Sequence, residues 1–363
     1  MPFSPAVYHA PDFTAPALAG APDARFAPAE RDGVAPDDYH ATSIFPEYFR
    51  VNGQWLLAGQ SRMDCLAVLE DGRVHVREFR RLRRGDLVAV GRDEDGSHGI
   101  YVHMDGFSAA QSGAPAGFAF RQGRSRETPF SMDYDQLYDL LRYERVNGYV
   151  VWVLGPALSF DADSRAAFAG LVMAGYVDAL LAGNALATHD LEGAYRKTAL
   201  GQDIYTQALT TNGHYNHIDT INRVRLHGSI PAFIKAEGID NGIIHACVVK
   251  GAPFALTGSI RDDGPLPEVY ANVYDGQDAM REHLSRATTV IAMATALHTI
   301  AAGNITPTFR VMADGTVRPV HFYVVDISEF TANKLADRGS LAARSIITNV
   351  QDFIVNVHKG LCG

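Results

Sequence analysis

The second half of the chain contains short apolar runs, and these runs constrain the fold more than any other feature. Residues 149–154 form one of them, without a single charged side chain. A strand that is apolar along its whole length is typical of a parallel sheet covered by helices on both faces. Helical segments separate most of the runs, which predicts a mainly parallel, doubly wound α/β sheet with ligands at the carboxyl ends of its strands. Further strands are predicted at residues 177–181, 243–249, 254–257, 290–294, 321–325 and 345–347.

One strand end combines a glycine turn with the start of a helix. The apolar run at residues 176–182 ends at Gly183 and Asn184, and a helix with a polar first turn follows. A strand, a glycine turn and a helix N-terminus together present backbone N–H groups to a phosphate or carboxylate. His189 and Asp190 place a titratable pair near this turn. The pattern indicates a binding site, although a purely structural turn has the same form.

The first third of the chain follows a different pattern. Residues 1–43 are rich in Pro and Ala without a period, which predicts an extended or partly disordered arm, or one that wraps a partner subunit. Alternating segments separated by Asn52-Gly53 and Asp71-Gly72 then predict β-hairpins. We assign residues 44–128 to a small β domain and a connection, with 106–128 as the connection or lid. Residues 129–363 are assigned to the α/β domain.

Composition narrows the functional class. The 363 residues carry a net charge of −9, which argues against nucleic-acid and anionic-membrane partners because both require a basic surface. The basic clusters at residues 80–84 and 121–126 are short and flanked by acids, so we interpret both as solvated surface. No apolar run is long enough to span a membrane, and no signal peptide opens the chain. Three scattered cysteines fit a reducing cytoplasm, and Cys65 is predicted to be a buried small side chain.

Two later strand ends also carry polar side chains. Thr295 ends an apolar run at the start of a helix, and Asp326 ends the strand at residues 321–325. An acid in that place accepts hydrogen bonds from a ribose diol in nucleotide-binding folds. As the alternative, Asp326 caps the helix that starts at Ser328. Just before this strand, Asp314-Gly315 between two alternating runs predicts a hairpin at residues 308–323.

The loop at residues 258–267 is the most unusual in the chain. Ser259, Arg261, Asp262 and Asp263 crowd between an apolar strand and a turn fixed by proline. An arginine beside two acids suits a ligand that has both a carboxylate and an ammonium group, namely an amino acid. A loop whose charges pair with one another is the equally open alternative.

A histidine pair offers a different kind of site. His214 and His217, with Asp219, have the residue types of zinc ligands, but the spacing fits a capped helix start better and no metal is expected. The sequence contains no nucleophile elbow, no phosphate-binding loop ending in Lys-Ser/Thr, and no GxGxxG. A dinucleotide would therefore bind without the usual fingerprint.

Several of these stretches together resemble the archaeal-type ornithine cyclodeaminase family, whose conserved region is also described as lysine-ketoglutarate reductase/saccharopine dehydrogenase-like. The resemblance covers about residues 44 to 360. In the small β domain it rests on Met63-Asp-Cys65 and Arg84-Gly-Asp86. The later motifs are residues 180–192, 213–217, 258–267, 294–298 with Gly303-Asn304, 325–327 and 334–339.

The resemblance implies that residues 129–363 form a Rossmann-like, NAD-binding catalytic domain akin to that of deoxyhypusine synthase. It also implies the conversion of L-ornithine to L-proline and ammonia. NAD⁺ would take hydride from the amino-bearing carbon, the side-chain amine would attack the resulting imine, ammonia would leave, and the cyclic imine would take the hydride back. The cofactor is thus recycled and tightly held. By position, the implied cofactor contacts are Asn184, Ala185, Asp263, Thr295, Ala296, Leu297, His298, Asp326, Asn349 and Val350.

The chain departs from the family pattern in four places. A His-Thr-Gly-Gly run usually follows the Gly-Pro strand end, but residues 157–164 here contain no glycine. The close backbone approach of those glycines would be lost, or filled by Ser and Asp side chains. Asn349 replaces the usual Asp, the hairpin at 308–323 is extra, and the arm has no counterpart. These differences leave the fold prediction unchanged and put the substrate in question.

Three hypotheses follow. In the first, a cyclodeaminase holds a basic amino acid with Arg261, Asp262 and Asp263, and His189 or His217 accepts the ammonium proton, with Cys65 as a further candidate catalytic residue. In the second, an imine reductase or amino-acid dehydrogenase turns over NAD(P)H on another substrate. In the third, the chain binds NAD without catalysis. Asp326 favours NAD over NADP, and a homo-oligomer is the expected assembly.

Overall fold

The computed structural model describes residues 3–107, 131–262, 264–336 and 340–363. Its first part consists of short antiparallel strands in two small sheets, of order β1-β7-β5-β6 and β3-β2-β8. The turns at Asn52-Gly53 and Asp71-Gly72 have positive φ at both residues, as tight hairpin turns require. The hairpins β2–β3 and β5–β6 predicted from these dipeptides are therefore confirmed. The elements of this part are α1 (Pro16–Ala19), β1 (Arg25–Pro28), β2 (Glu47–Val51), β3 (Gln54–Leu57), β4 (Gln60–Ser61), β5 (Leu66–Glu70), β6 (Arg73–Arg77), β7 (Leu87–Val90) and β8 (Ile100–Val102).

The N-terminal segment predicted as an arm lies along this β domain. Phe13 stacks on Trp55 with ring centroids 5.4 Å apart, and Tyr8 shares a hydrogen bond with Tyr48 at 2.8 Å. From Arg25 onward the segment is not an arm, because β1 pairs antiparallel with β7 along its whole length. Sheet pairing thus extends the small β domain back into residues 1–43.

The second part is the predicted α/β unit. The predicted connection at 106–128 falls almost wholly outside the described residues. The strands of this part are β9 (Val150–Leu154), β10 (Ala179–Gly183), β11 (Thr198–Ala199), β12 (Gln202–Asp203), β13 (Phe254–Thr257), β14 (Val269–Tyr270), β15 (Thr289–Met293), β16 (Phe309–Val311), β17 (Val317–Pro319), β18 (His321–Asp326) and β19 (Ala342–Ile347). Its helices are α2 (Ser131–Asn147), α3 (Ala162–Met173), α4 (Asn184–Arg196), α5 (Asn216–His227), α6 (Ile230–Ala236), α7 (Ile243–Lys250), α8 (Val273–Leu284), α9 (Ala296–Ile305), α10 (Glu329–Ala336) and α11 (Val350–Cys362).

Seven of these strands form one sheet of order β14-β13-β10-β9-β15-β18-β19, and every neighbouring pair is parallel. The chain builds outward from β9 in one direction and then returns to β15 on its other side. The predicted Rossmann-like α/β class is confirmed. The direction changes between β9 and β15, and such a switch point opens a crevice at the carboxyl ends of the strands.

The central strand explains why the sheet is covered on both faces. Side chains alternate along β9, so Trp152 faces one core cluster while Val151 and Val153 face the other. The first cluster includes Phe168 of α3 and Phe353 of α11, and the second includes residues of α8 and α9. All five residues of β9 are buried, as the apolar run predicted.

The strand predicted at residues 243–249 is wrong, since these residues form α7. A short apolar run fits a buried strand and a buried helix equally well. Here the Asp190 carboxylate accepts hydrogen bonds from the backbone N–H groups of Ile243 at 3.0 Å and Ile244 at 2.8 Å. That contact caps the helix N-terminus from 53 residues away in sequence, where no local pattern shows it.

The predicted hairpin at residues 308–323 is confirmed and has a structural role. Its strands β16 and β17 pair antiparallel, and β16 also pairs with β4 of the small β domain. Thr308 reinforces this junction, because its hydroxyl donates to the carbonyl of Ile44 at 2.6 Å. A three-stranded sheet thus joins the two parts of the chain.

Candidate cofactor and substrate cleft

A cleft of about 330 Å³ lies at the switch point of the parallel sheet. Strands β9, β10, β13 and β15 all point their carboxyl ends into it. The residues that line it follow these strand ends and begin helices α4 and α9. They are Leu154, Gly155, Pro156, Gly183, Asn184, Ala185, Leu186, Thr257, Ser259, Arg261, Asp262, Thr295, Ala296, Leu297 and His298.

Backbone forms the wall of the cleft between β9 and β15. The N–H of Gly155 donates to the carbonyl of Met293 at 2.8 Å, and a Cβ on Gly155 would lie 1.9 Å from the carbonyl oxygen of Ala294. Ala294 itself has φ +54°, an unusual conformation for a residue with a side chain. The two strand ends therefore approach too closely for any residue but glycine at position 155.

Helix α4 begins at the cleft and presents its first backbone N–H groups there. Asn184, its first residue, accepts hydrogen bonds at Oδ1 from the N–H of Leu266 at 3.1 Å and from the hydroxyl of Thr188 at 3.3 Å. The side chain thus ties the loop after β13 to the helix. The unpaired N–H groups and the helix dipole favour an anionic group at this end.

His298 closes one side of the cleft. Its Nδ1 lies 3.2 Å from the Thr295 hydroxyl, and its ring hydrogen-bonds to the backbone of Thr257 and packs over Gly183. Burial lowers the pKa of His298, because the charged imidazolium loses its hydration there. The ring is therefore neutral at pH 7 and can act as a hydrogen-bond donor or acceptor without a charge.

Thr257 leaves a polar atom unused in the same place. Its Oγ1 is buried and has no hydrogen-bond partner in the described part of the chain. A buried hydroxyl without a partner costs free energy, which a ligand that bonds to it would recover. The predicted site residues include neither Thr257 nor Gly155, and only their position at the end of an apolar strand could have indicated them.

The loop after β13 supplies the charged groups of the cleft. The Asp262 carboxylate accepts a hydrogen bond at Oδ2 from the N–H of Ser259 at 2.6 Å, and the N–H of Arg261 reaches the Ser259 hydroxyl at 3.3 Å. Arg261 is exposed beside them. Oδ2 of Asp262 therefore stabilises the loop, and Oδ1 is available to a ligand. Asp263, also predicted here, lies outside the described residues.

The two histidines predicted as proton acceptors lie together but outside this cleft. His189 is buried further along α4, with Nδ1 2.8 Å from Glu192, whose other oxygen accepts from Thr198 at 2.8 Å. The ring of His217 is 5.9 Å from that of His189, and its Nδ1 is buried without a described partner. Asp190, next to His189, pairs with the buried Arg165 at 2.9 Å and has a structural role.

Cys65 lies in a separate cleft of about 210 Å³ that also contains Asp64, Gly303 and Asn304. Its thiol is buried and accepts a hydrogen bond from Nε of Arg62 at 3.2 Å. Burial raises the pKa of the thiol, so the neutral form predominates at pH 7. This environment agrees with the predicted small buried side chain and places Cys65 away from the switch point.

The remaining predicted contacts lie at neighbouring strand ends. Asp326 accepts from the N–H of Ser328 at 2.8 Å, but the cap of α10 is Ser328, whose hydroxyl accepts from the N–H of Thr331 at 3.3 Å. Asn349 does cap α11, because it accepts from the N–H groups of Gln351 and Asp352, the first at 2.8 Å, and Val350 follows as the first residue of that helix. A ligand role for these residues stays a prediction.

The segment that departs from the family pattern is also held by hydrogen bonds within the protein. The Ser159 hydroxyl donates to the carbonyl of Leu186 at 3.1 Å, and Asp161 caps α3 through the N–H of Ser164 at 2.8 Å. Ser and Asp side chains there bind the backbone instead of opening a glycine cradle.

Within residues 3–107, 131–262, 264–336 and 340–363, no helix combines the length and apolar content of a membrane span. Within the same ranges, His, Cys, Asp and Glu side chains form no group of three or more that could hold a metal ion.

Comparison with known proteins identifies relatives that cover most of the chain. The family model described as arginine dihydrolase ArgZ-like, C-terminal, Rossmann fold matches residues 136–357. An ornithine cyclodeaminase of Methanopyrus kandleri is 35% identical over 342 residues, covering 93% of this chain and 78% of that protein. The bifunctional arginine dihydrolase/ornithine cyclodeaminase AgrE of Nostoc sp. is 33% identical, covering 92% of this chain but 46% of AgrE. The family resemblance predicted from the motifs is confirmed.

Solved structures agree with these relatives. A LOR/SDH protein from Methanococcus maripaludis S2 superposes with a TM-score of 0.83 at 32% identity, covering 94% of this chain and 98% of the other. The ternary complex of AgrE with ornithine and NAD⁺ superposes with a TM-score of 0.59 at 31% identity, covering 94% of this chain and 46% of AgrE.

Proposed function

The chain belongs to the family of the archaeal ornithine cyclodeaminases and of the ArgZ-like C-terminal Rossmann-fold domain, and from this membership we propose that it is an NAD-dependent ornithine cyclodeaminase. It would convert L-ornithine to L-proline and ammonia, which makes it an ammonia-lyase. The observation that carries the proposal is the cleft at the switch point, which combines helix N-termini, an unpartnered hydroxyl and a charged loop. A relative that covers this whole region has been solved with ornithine and NAD⁺.

The residues of the cleft fit the cofactor. Thr257 offers its buried, unpartnered hydroxyl, the first N–H groups of α4 at Asn184 and Ala185 suit a phosphate, and residues 295–298 form the opposite side. When bound, NAD supplies a redox-active ring that takes an electron pair from the substrate and returns it to the product. Because it is restored in each turnover, tight binding is useful and release is not required.

The charged loop suits the substrate. Ornithine has a carboxylate and amino groups, and Arg261 and Asp262 offer the complementary charges side by side. We assign the carboxylate to the guanidinium of Arg261 and an ammonium group to the free oxygen of Asp262. The same two groups would hold the substrate in a fixed orientation next to the cofactor.

A proton acceptor is also needed, since an amine must be neutral before its carbon can be oxidised. His298 is inside the cleft and is kept neutral by burial, which makes it a candidate that the sequence had placed only among the cofactor contacts. His189 is the second candidate, because the Glu192 carboxylate holds its Nδ1 and so orients its ring. His217, beside it, is the third.

The test separates the three hypotheses. The native protein is denatured, released nucleotide is identified by mass spectrometry, and separate native protein is incubated with ornithine while proline and ammonia are measured. Proline without a net change in NADH absorbance supports the cyclodeaminase. Net NADH formation or consumption supports a dehydrogenase or imine reductase, and bound NAD without turnover supports a non-catalytic module. Absence of NAD, even after soaking, contradicts the cofactor assignment.

Cellular context belongs to the proposal as well. We propose a cytoplasmic enzyme of proline formation that works as a homo-oligomer and needs no nucleic-acid or membrane partner. All three cysteines, Cys65, Cys247 and Cys362, are free thiols, which fits a reducing compartment. Size-exclusion chromatography with light scattering would measure the assembly.

A further inference from the structure

A second and larger cleft, of about 660 Å³, lies between the small β domain and α8. We call it the arginine cleft, because its central side chains are Arg62, Arg80, Arg81 and Arg281. The first three come from the small β domain, and Arg281 comes from α8. The cluster at residues 80–84, interpreted from the sequence as solvated surface, therefore takes part in a contact between the two parts of the chain.

The four arginines share two carboxylates. Oδ1 of Asp278 accepts from Arg80 at 2.7 Å, from Arg81 at 3.2 Å and from Arg281 at 2.5 Å. Oε1 of Glu78 accepts from Arg281 at 2.6 Å and from Arg62. These carboxylates leave two positive charges uncompensated within the network, and the third acid of the cleft, Glu282, offsets one of them.

The outer arginines of the cleft are balanced by other acids. Arg77 pairs with both Glu70 and Asp86, and Arg83 pairs with Asp32. With these groups counted, the acids equal the arginines, so among the described residues the cleft as a whole has no excess of positive charge. Its inner part is distinguished by geometry, because Arg80, Arg81 and Arg281 share one carboxylate oxygen of Asp278 and three guanidinium groups thus converge there.

The arrangement resembles a preformed receptor more than a closed ion-pair network. Arg62 and Arg281 are anchored, with 8% and 12% of their side chains exposed, whereas Arg80 and Arg81 are 33% and 43% exposed at the mouth. Arg80 is further held by stacking over Tyr274, at 4.8 Å from the ring centroid. Burial lowers the pKa of Arg281, and the neighbouring charges of Arg81 and Arg62 lower it further. An anion would relieve this repulsion.

We propose that the arginine cleft binds a small oxyanion with two or more negative charges, either a phosphoryl compound or a polycarboxylate. Guanidinium groups form paired, charge-assisted hydrogen bonds with both kinds of ligand. The concave shape and the net charge of the chain favour a small molecule over a nucleic acid. This proposal stands independently of the activity proposed above, because the described residues that line the arginine cleft and those that line the switch-point cleft do not overlap.

Binding in the arginine cleft would also be connected structurally to the switch-point cleft, through helix α8. Helix α8 carries Asp278 and Arg281, and its Gly276 packs so closely on Thr257 that a Cβ there would lie 2.5 Å from Cγ2 of Thr257. The same helix therefore contacts both clefts. An oxyanion that shifts α8 would reach a residue of the proposed cofactor site, which is how an effector could regulate the enzyme.

The test titrates the full chain calorimetrically with pyrophosphate and with citrate, at an ionic strength held constant with potassium chloride. We expect saturable binding of at least one, and the better ligand identifies the chemical class. Arg80→Ala combined with Arg81→Ala should weaken it at least about tenfold. Arg73→Ala combined with Arg84→Ala removes the same charge from exposed positions outside the cleft and should change the affinity less than about twofold.

A second variant tests the proposal even if the double arginine variant fails to fold. Asp278→Asn keeps the shape of the side chain and removes a competing carboxylate, so we expect tighter oxyanion binding by a few fold. The proposal is overturned if neither probe binds saturably at millimolar concentration. It is also overturned if both arginine pairs weaken binding equally, because that result would show a general charge effect.

Discussion

The imidazole of His298 lies directly against the α-carbon of Gly183, so that a methyl group on Gly183 would sit 2.9 Å from Cε1 of the ring. The φ of Gly183 is −95°, so space and not backbone conformation requires glycine. We expect Gly183→Ala to displace His298 and weaken NAD binding about tenfold. Calorimetric titration with NAD measures the effect. Gly303→Ala is the control in the same helix as His298, with an ordinary 3.7 Å contact to Phe322, and equal affinities of the two variants would contradict the prediction.

Asp262 should discriminate between substrate and cofactor. Asp262→Asn keeps an oxygen for the Ser259 N–H but removes the charge proposed to bind an ammonium group. We expect the KM for ornithine to rise about tenfold or more, with the affinity for NAD unchanged. Steady-state kinetics and NAD titration are the measurements, and Asp240→Asn is an exposed control. A parallel loss of NAD affinity would assign Asp262 to the cofactor instead.

The Arg165–Asp190 pair should be a main source of stability. Asp190→Ala leaves the guanidinium of Arg165 buried without its partner and removes the cap of α7. We expect a loss of about 3–5 kcal/mol in the free energy of unfolding, measured by urea denaturation. Asp219→Ala removes an exposed partner 3.8 Å from Arg196 and should cost less than about 1 kcal/mol. Similar losses for the two variants would refute the prediction.

Acid should destabilise the protein through His321. Burial lowers the pKa of His321 to about 4, and the charges of Arg318 and Arg344 act in the same direction. The unfolded chain, with a pKa of about 6.5, binds the proton first as the pH falls, so stability is lost from about pH 6.5 down to about pH 4. The slope attributable to this residue is about 1 kcal/mol per pH unit. His321→Gln should flatten that part of the pH profile of urea unfolding, and an unchanged slope would exclude His321 as its origin.

The residues at the switch point could be predicted because strand ends are visible in the sequence. Asn184 and Thr295 each follow an apolar run, and parallel strands bring their carboxyl ends to one edge. The same reasoning brought Asp326 to that edge. There it accepts from the N–H of Ser328, and Ser328 itself caps α10, which the pattern could not decide because a helix start and a ribose contact have the same position in sequence.

The features that sequence reasoning missed depend on distant partners. Residues 243–249 form a helix that Asp190 caps. Arg80 and Arg81 line a cleft because they pair with Asp278, which is nearly 200 positions away in sequence. His189 is close in sequence to the glycine turn at Gly183, but it lies on a part of α4 beyond the cleft, where it hydrogen-bonds to Glu192. Local periodicity contains no information about such contacts.

The pairing of β4 with β16 has a consequence for how the chain is made. Ser61 of β4 pairs with Phe309 of β16, and the ribosome adds Phe309 248 residues after Ser61. At the usual speed of translation, about 5–20 residues per second, the edge of β4 lacks this partner for roughly 12 to 50 seconds. During that interval the nascent chain exposes an unpaired strand edge, which is a site for association with other chains. The two-residue length of β4 limits that risk. In a truncated protein that ends before the hairpin at residues 308–323, the edge of β4 would stay unpaired.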